Sequence, residues 1–312
     1  MLTTLRRGLA AYPVLPLIAA LAVAFSLISP FFLTAGNAEA VLGANAVVLI
    51  AAIGMTFVFL IGGIDLSIAT VVSASAVIAG LVMAATGSIA LGAVAALAVG
   101  AAFGATNGVL IGYLGLTPFI TTMATGLIAR GLAFVLSQGI AVRGTPYGML
   151  DFGFWLWMGL PGVTLVGLAL VAVSALALRQ TTWGRHVMLV GSNPEAARYV
   201  GIDVPRLTGS VYLVSGLLGG VAGFVSIANL GNAIPGVGDT LLLIIIGAVV
   251  LGGTSMTGGE GSVARTVLGV ALLAVLTSGL NLIGIPFYDQ LIVQGVLIFL
   301  GTWLAGRLGR RR

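Results

Sequence analysis

Charged positions divide this chain into long apolar stretches. Uncharged runs cover residues 8–38, 40–64, 66–129, 152–178, 207–238, 240–259, 266–288 and 290–306. A helix needs ~20 apolar residues, each rising about 1.5 Å, to cross the hydrocarbon of a bilayer. Most of these runs hold one crossing, and the run 66–129 must hold several. That run divides at Thr86-Gly87-Ser88 and at Gly112-Tyr113-Leu114-Gly115. Pro118 suits the first turn of the helix that follows, where its missing N–H costs nothing. The pattern predicts an all-α fold, a polytopic membrane bundle of about ten transmembrane helices. They lie near 12–33, 41–62, 66–86, 90–112, 117–137, 160–178, 208–230, 240–254, 263–283 and 288–305. A single domain, 1–312, is expected.

Composition sharpens this. The 312 residues are 59% hydrophobic and 7% charged, whereas a soluble domain carries about 25% charged residues. All 13 basic residues are Arg. With the N-terminus inside, Arg6, Arg7, Arg179, Arg185, Arg198, Arg206, Arg265, Arg307, Arg310, Arg311 and Arg312 fall on the cytoplasmic side, as the positive-inside bias requires. Both termini are then cytoplasmic. Arg143 lies outside, and Arg130 lies within the fifth helix toward its outer end. The apolar run after Arg6-Arg7 is longer than the ~7 to 15 residues of a signal peptide, so an uncleaved first helix is expected, although Ala38-Glu39-Ala40 resembles a cleavage site.

Several chemistries are excluded. There is no Cys, hence no disulfide or thiolate site, and one His, His186. No lysine is present, so a phosphate-binding loop of the G-x-x-x-x-G-K-[ST] kind is absent and any ATP must be hydrolysed by another subunit. The net charge of +5 lacks the basic, aromatic-interleaved patch of a nucleic-acid binder. Residues 259–264 fit a dinucleotide fingerprint but lie between membrane helices, where the motif has no preceding strand. The eight acids are dispersed and no nucleophile elbow occurs, so the chain is read as a non-enzyme.

Other residues carry candidate roles. Gly100, Gly104, Gly108 and Gly112 form a four-residue ladder, and Gly216, Gly219, Gly220 and Gly223 a second one. Such faces bring two backbones together, within one bundle or between subunits. Asn107, beside the first ladder, serves either helix-helix hydrogen bonding or substrate contact. Thr117, Thr121 and Thr125 make a stripe with Thr122 beside it, and their hydroxyls bond either their own helix or a substrate. Arg130, near that stripe, either has a functional partner or reaches for the headgroups. In Gly62-Gly63-Ile64-Asp65-Leu66-Ser67 the glycines end one helix and Asp65 caps the next. Tyr147, Phe152, Phe154, Trp155 and Trp157 suit an interfacial belt in the longest external loop, 138–158, which also offers a docking surface for a soluble partner.

The longest polar stretch is the cytoplasmic loop 179–207. Within it Asn193 is placed to cap a short helix, with Pro194 at its first position, Glu195 near the positive end of its dipole and Gly201 as its left-handed stop. A helix this short is marginal in water and is stabilised by docking.

At these residues the chain resembles the permease subunits of binding-protein-dependent ABC importers for sugars, of the ribose, xylose and galactose type within the branched-chain amino acid and ribose permease superfamily. The matching segments are Gly62 to Ser67, Asn107-Gly108, Pro118 to Thr122, Thr182 to Arg185, Gly191 to Ala197, Gly201-Ile202, Val249 to Ser255 and Gly258 to Gly261. Ala69, where a glycine often follows the Asp-Leu-Ser motif, and Val200, where a serine is common, depart from it. The resemblance implies a multi-pass protein of the bacterial inner membrane that pairs with a second permease chain, a copy or a paralogue. It also implies one or two cytoplasmic ATPases, which hold the ATP and Mg, and a soluble sugar-binding protein outside; no cofactor is expected on this chain and no nucleic acid as partner. By the same resemblance Gly184, Arg185, Gly191, Asn193, Glu195, Ala196, Ala197, Arg198 and Gly201 belong to the ATPase-coupling element. The substrate path is expected at Asp65, Asn107, Thr121, Thr125 and Arg130. An ion-coupled secondary carrier of a small polar solute is the alternative function.

Overall fold

The computed structural model describes residues 14–309, without the side chains of 302 and 304–309. Arg6, Arg7, Arg310, Arg311 and Arg312, and the side chain of Arg307, lie outside what it describes, as does the start expected for the first helix. The chain is mostly helical. In order the elements are α1 (Val14–Ile28), α2 (Ala35–Leu60), α3 (Ile68–Thr86), α4 (Ile89–Gly108, extended by one wide turn, Val109–Tyr113), α5 (Pro118–Ser137) and α6 (Tyr147–Phe154). A two-stranded hairpin follows, β1 (Leu156–Trp157) with β2 (Leu160–Pro161). Then come α7 (Gly162–Gln180), α8 (Thr182–Ser192), α9 (Pro194–Tyr199), α10 (Val204–Leu230), α11 (Leu241–Leu251), α12 (Val263–Leu282) and α13 (Phe287–Gly309).

Seven of these helices, α2, α3, α4 with its wide turn, α5, α7, α10 and α12, are long and apolar enough to cross a membrane. Three shorter apolar helices, Val14–Ile28, Leu241–Leu251 and residues 287–301 of α13, accompany them. The stretch expected at 240–254 contains only the eleven residues of α11, and the helix expected over 12–33 stops at Ile28. Local chemistry sets the ends. The Thr34 hydroxyl accepts from Asn37 N–H at 3.3 Å and that of Ser88 from Leu91 N–H at 3.3 Å. Gly87 (φ +67°) closes α3 in the left-handed region, and Pro118 sits in the first turn of α5. Leu114 N–H reaches back five residues to the Val109 carbonyl (3.1 Å), which makes the wide turn that ends α4.

The core is built from α2, α3 and α10, whose facing residues are almost wholly buried, while α4, α5 and α7 turn most of their surface outward. The two glycine ladders pack on each other within this chain. A Cβ on Gly100 would meet the Gly216 carbonyl, one on Gly104 would stand 2.7 Å from the Tyr212 carbonyl, and one on Gly108 2.6 Å from that of Gly209. Gly219 and Gly223 turn instead toward α3, against Val71 and the Val72 carbonyl. Lipid offers no hydrophobic drive for helix association, so this backbone-to-backbone contact supplies the attraction. The described arginines sort as expected: Arg179, Arg185, Arg198, Arg206 and Arg265 stand on elements at one end, and Arg143 lies in the loop at the other.

Substituting Gly104→Leu is expected to force α4 and α10 apart and lower stability by about 1–3 kcal/mol or more. Gly131→Leu on α5, where a Cβ has open space, is expected to stay within about 0.5 kcal/mol of the parent. Thermal unfolding of the detergent-solubilised protein measures both.

Candidate functional site

Two groupings of polar residues stand out, one at the arginine-rich end and one inside the bundle. At the end, the loop 179–207 is a helical hairpin. The sequence reading foresaw only its second helix. Helix α8 went unrecognised because Arg185 and His186 interrupt it, yet Gly184, Val187, Val190 and Gly191 are all buried and share a face by their helical spacing. Its start is capped by the Thr181 hydroxyl, which accepts from Gly184 N–H at 3.0 Å. Gly184 packs on the carbonyl of Ala177, so that the chain turns sharply from α7 into α8. Trp183 anchors the hairpin to the spans: its Nε1 donates to Ser210 Oγ at 2.8 Å and its ring meets Phe57 edge-on at 5.3 Å.

Helix α9 begins as its residues dictate. The Asn193 side chain accepts from Ala196 N–H at 3.0 Å, Pro194 is in the first turn, and Gly201 takes φ +84°. Ala197 faces inward, 3% exposed. Glu195, Ala196 and Arg198 are exposed, and Tyr199 is 92% exposed. Arg185 is exposed on α8. A six-residue helix thus projects a carboxylate, a guanidinium and a phenol from the end of the bundle.

The hairpin joins the core at a three-way glycine junction. Gly191 lies on the Leu60 carbonyl with no space for a Cβ, and that carbonyl accepts from Gly259 N–H at 3.0 Å. Gly258 (φ +92°) fits between Gly191 and Gly62. The turn 258–261, which mimicked a nucleotide motif, therefore ties the hairpin to the end of α2.

Beyond this junction, residues 61–67 fold back into the bundle. Gly54 of α2 already touches both Ile68 and Ser215, so α3 begins at the level of Gly54, about 9 Å inward from Leu60. Non-helical backbone at that depth must find partners in the protein. It does: Tyr212 Oη donates to the Ile64 carbonyl (3.1 Å) and Leu66 N–H donates to Thr122 Oγ1 (3.0 Å).

Asp65, 2% exposed, anchors the connector. Its Oδ1 accepts from Ser67 N–H (2.9 Å) and Ser67 Oγ (2.6 Å), and its Oδ2 from Ser215 Oγ (2.8 Å). The expected cap is not formed by Asp65: Ser67 holds the N-cap position of α3, without a side-chain cap bond, and the carboxylate instead fixes Ser67 in the connector and clasps α10. Ser67 gives its one hydroxyl hydrogen to Asp65, so its oxygen must accept from Asn107 Nδ2 (2.9 Å), and Asn107 Oδ1 accepts from Thr125 Oγ1 (2.7 Å). This directed chain crosses four elements.

Thr121, Thr122 and Thr125 are buried on α5. Asn107 has both ends of its amide engaged inside the chain. Arg130 stands apart from this group, on a more exposed face, and forms an ion pair with Asp239 at 2.7 Å, the one ion pair among the described residues. Sequence reasoning missed Ser215 and Tyr212 as partners, because nothing local links residues about 150 positions apart in the chain. It also missed Asp239, whose signal was available: it is the single charge that interrupts an otherwise apolar run from 207 to 259. In the loop 138–158, Val142 pairs backbone to backbone with Ala233 of the link after α10, and Tyr147, Phe154, Trp155 and Trp157 are exposed.

The family model of the branched-chain amino acid transport system permease component matches residues 37–301. The chain is similar to the ribose import permease protein of Bacillus subtilis (strain 168), 38% identical over 289 residues that cover 91% of this chain and 89% of that protein. It is 36% identical over 282 residues to the ribose import permease protein of Escherichia coli (strain K12), with 89% and 88% covered. It is 33% identical over 287 residues to the L-arabinose transport system permease protein of the same organism, with 92% and 88% covered. No solved structure matches it.

Removing the Thr125 hydroxyl would leave Asn107 Oδ1 buried without a donor. Thr125→Val is expected to cost about 1–3 kcal/mol, whereas Thr125→Ser keeps the donor and most of the stability. Chemical denaturation in detergent, comparing the two variants, provides the readout.

Proposed function

The chain belongs to the family of branched-chain amino acid transport system permease components, and from that premise we propose that it is the membrane-spanning subunit of an ATP-driven importer for a monosaccharide or related polyol. The permeases of ribose and arabinose systems that it resembles along nearly their whole length support the sugar class. The observation that carries the transport reading is the α8–α9 hairpin: a short capped helix, exposed at Glu195, Arg198 and Tyr199, seated on the spans through Ala197, Gly191 and Trp183.

In this reading α1, α13 and the recessed link 231–240 together with α11 join the seven long spans to make about ten crossings. Both termini then lie in the cytoplasm of a bacterial cell, the inner membrane holds the chain, and 1–312 is one permease domain. The arginine-rich end faces the cytoplasm. The segment from Gly184 to Gly201 docks on a separate ATPase that holds ATP and Mg, a second permease chain completes the path, and a soluble binding protein delivers the sugar outside. Asp65, Asn107, Thr121 and Thr125 serve the path indirectly, by fixing the recessed connector, and Arg130 meets the solute.

Force transmission follows from the contacts. ATPase docking displaces α9, which is rigidly joined through Gly191 to Leu60 and so to the connector holding Asp65. The ATPase must bind two permease states with different affinity, because equal affinity shifts no population.

Two results test this. Glu195→Ala with Arg198→Ala is expected to abolish uptake and reduce ATPase co-purification while the permease stays in the membrane; wild-type uptake and assembly would remove the coupling assignment. In proteoliposomes holding the whole complex, labelled ribose, arabinose or allose is expected to accumulate only with ATP. Accumulation of leucine instead would overturn the sugar class, and uphill transport by this chain without an ATPase would favour the ion-coupled carrier.

A further inference from the structure

The link between α10 and α11 does not stay at the surface of the bundle. Ala233 pairs with Val142 and abuts Gly80 of α3. Five residues later, Gly238 N–H donates to Ser73 Oγ at 2.8 Å, and the glycine lies on the Ala69 carbonyl with no space for a Cβ. Ser73 precedes Gly80 by seven residues, so the link descends along α3 by about 10 Å. It does so in successive turns, closed by Val237 N–H to Ile234 O (3.2 Å), Asp239 N–H to Gly236 O (3.0 Å) and Leu241 N–H to Gly238 O (3.0 Å). Only at that depth does α11 begin, and its eleven residues reach about 16 Å, half a crossing.

Asp239 stands at this break. Helix α5 brings Arg130 to the same level: Gly126, one turn earlier, packs beside Ser67 and Thr70 at the start of α3. Arg130 lies seven residues inside the end of α5, about 10 Å below it. Arg130 Nη2 donates to Asp239 Oδ2 at 2.7 Å, and the guanidinium carbon lies 5.7 Å from the centre of the Phe134 ring. The two charged side chains are 50% and 30% exposed. Among the described residues this is the one hydrogen bond between side chains that either makes, so Nη1, Nε and Oδ1 keep their bonding capacity.

Half-exposed ions at hydrocarbon depth do not face lipid; they face protein or a water-filled cavity. Broken backbone is tolerated at that depth under the same condition. Both constraints meet at one place. We infer that Arg130, Asp239 and Phe134 form a binding subsite for a neutral polyhydroxylated ring on the translocation path, an inference that rests on the function proposed above. The carboxylate accepts from sugar hydroxyls, the guanidinium fork donates to them, and these charge-assisted bonds are the strong kind. The exposed Phe134 ring offers an apolar face to the C–H side of the sugar. The pair is neutral overall, so a neutral solute enters and leaves without stranding a charge. The interrupted span lets Asp239 reach inward from a turn, which a continuous helix would not permit.

The test uses the complete complex with its ATPase and binding protein in proteoliposomes, and labelled ribose, arabinose and allose as probes. If the wild-type complex moves none of the three, the functional reading itself fails, before the subsite is at issue. If it moves one, Arg130→Lys, which keeps the charge but loses the planar fork, and Asp239→Asn are each expected to lower its initial uptake rate about tenfold. Permease abundance and ATPase co-purification should remain at wild-type levels. The charge reversal of Arg130→Asp with Asp239→Arg should not restore uptake. Wild-type rates in Arg130→Lys, or restoration by the reversal, would reduce the pair to a structural clasp and overturn the subsite. Should the charge variants fail to assemble, Phe134→Leu decides: a fall of about threefold at wild-type abundance supports the subsite, and an unchanged rate overturns it.

Discussion

Inside a bilayer each backbone N–H and C=O must be satisfied by the protein, because lipid offers it no partner. Continuous helices meet that demand without help. Among the described residues the backbone leaves helix inside the bundle at residues 61–67 and 231–240, and much of the polar chemistry serves those departures. The first recess is held by Asp65, Thr122 and Tyr212. The second is held by Ser73, by its own turns and by the strand-like contact of Ala233 with Val142. The two recesses enter from opposite ends and meet at the start of α3, where Gly238 rests on Ala69. Transporters place solute sites at such breaks, since unwound backbone is stable only beside protein or water.

Close packing makes the breaks mechanically useful. The glycine faces of α4 and α10 bring their backbones into contact and leave little freedom for either helix to slide alone. Asp65 and Asn107 then fasten the connector to that same pair, through Ser215 on α10 and Ser67 on the connector. At the other end of the connector, Leu60 meets Gly191 and Gly259. These contacts link the hairpin that carries the exposed α9 helix to the middle of the bundle. Allosteric coupling needs an element with differential contacts in two states, and this line of contacts is the physical candidate for it.

The transport function proposed for the chain requires no catalytic step on it. A permease must alternate which side its path opens to and must hold a solute weakly enough to release it. A polar clasp of net zero charge at mid-depth suits a neutral solute. The exposed helix at the arginine-rich end suits a motor carried on another chain.

What the sequence determined by itself is what depends on neighbours within a few residues and on the solvent each stretch prefers. The apolar runs predicted the long spans, five of the described arginines sorted to one end, and Asn193, Pro194 and Gly201 predicted the cap and stop of α9, because capping is decided within about one turn. The same local view missed α8, whose buried face becomes visible only once the core that receives it is known, and it counted 240–254 as a whole crossing, where α11 has only eleven residues. Only the tertiary structure decided that the glycine ladders face each other, that Asp65, Ser67, Asn107, Thr125 and Ser215 form one chain of hydrogen bonds, and that Arg130 pairs with Asp239. Those partners lie from 18 to 150 residues apart, apart from the Asp65–Ser67 step. A hydrogen bond is satisfied by a distance in space, and separation along the chain does not encode it.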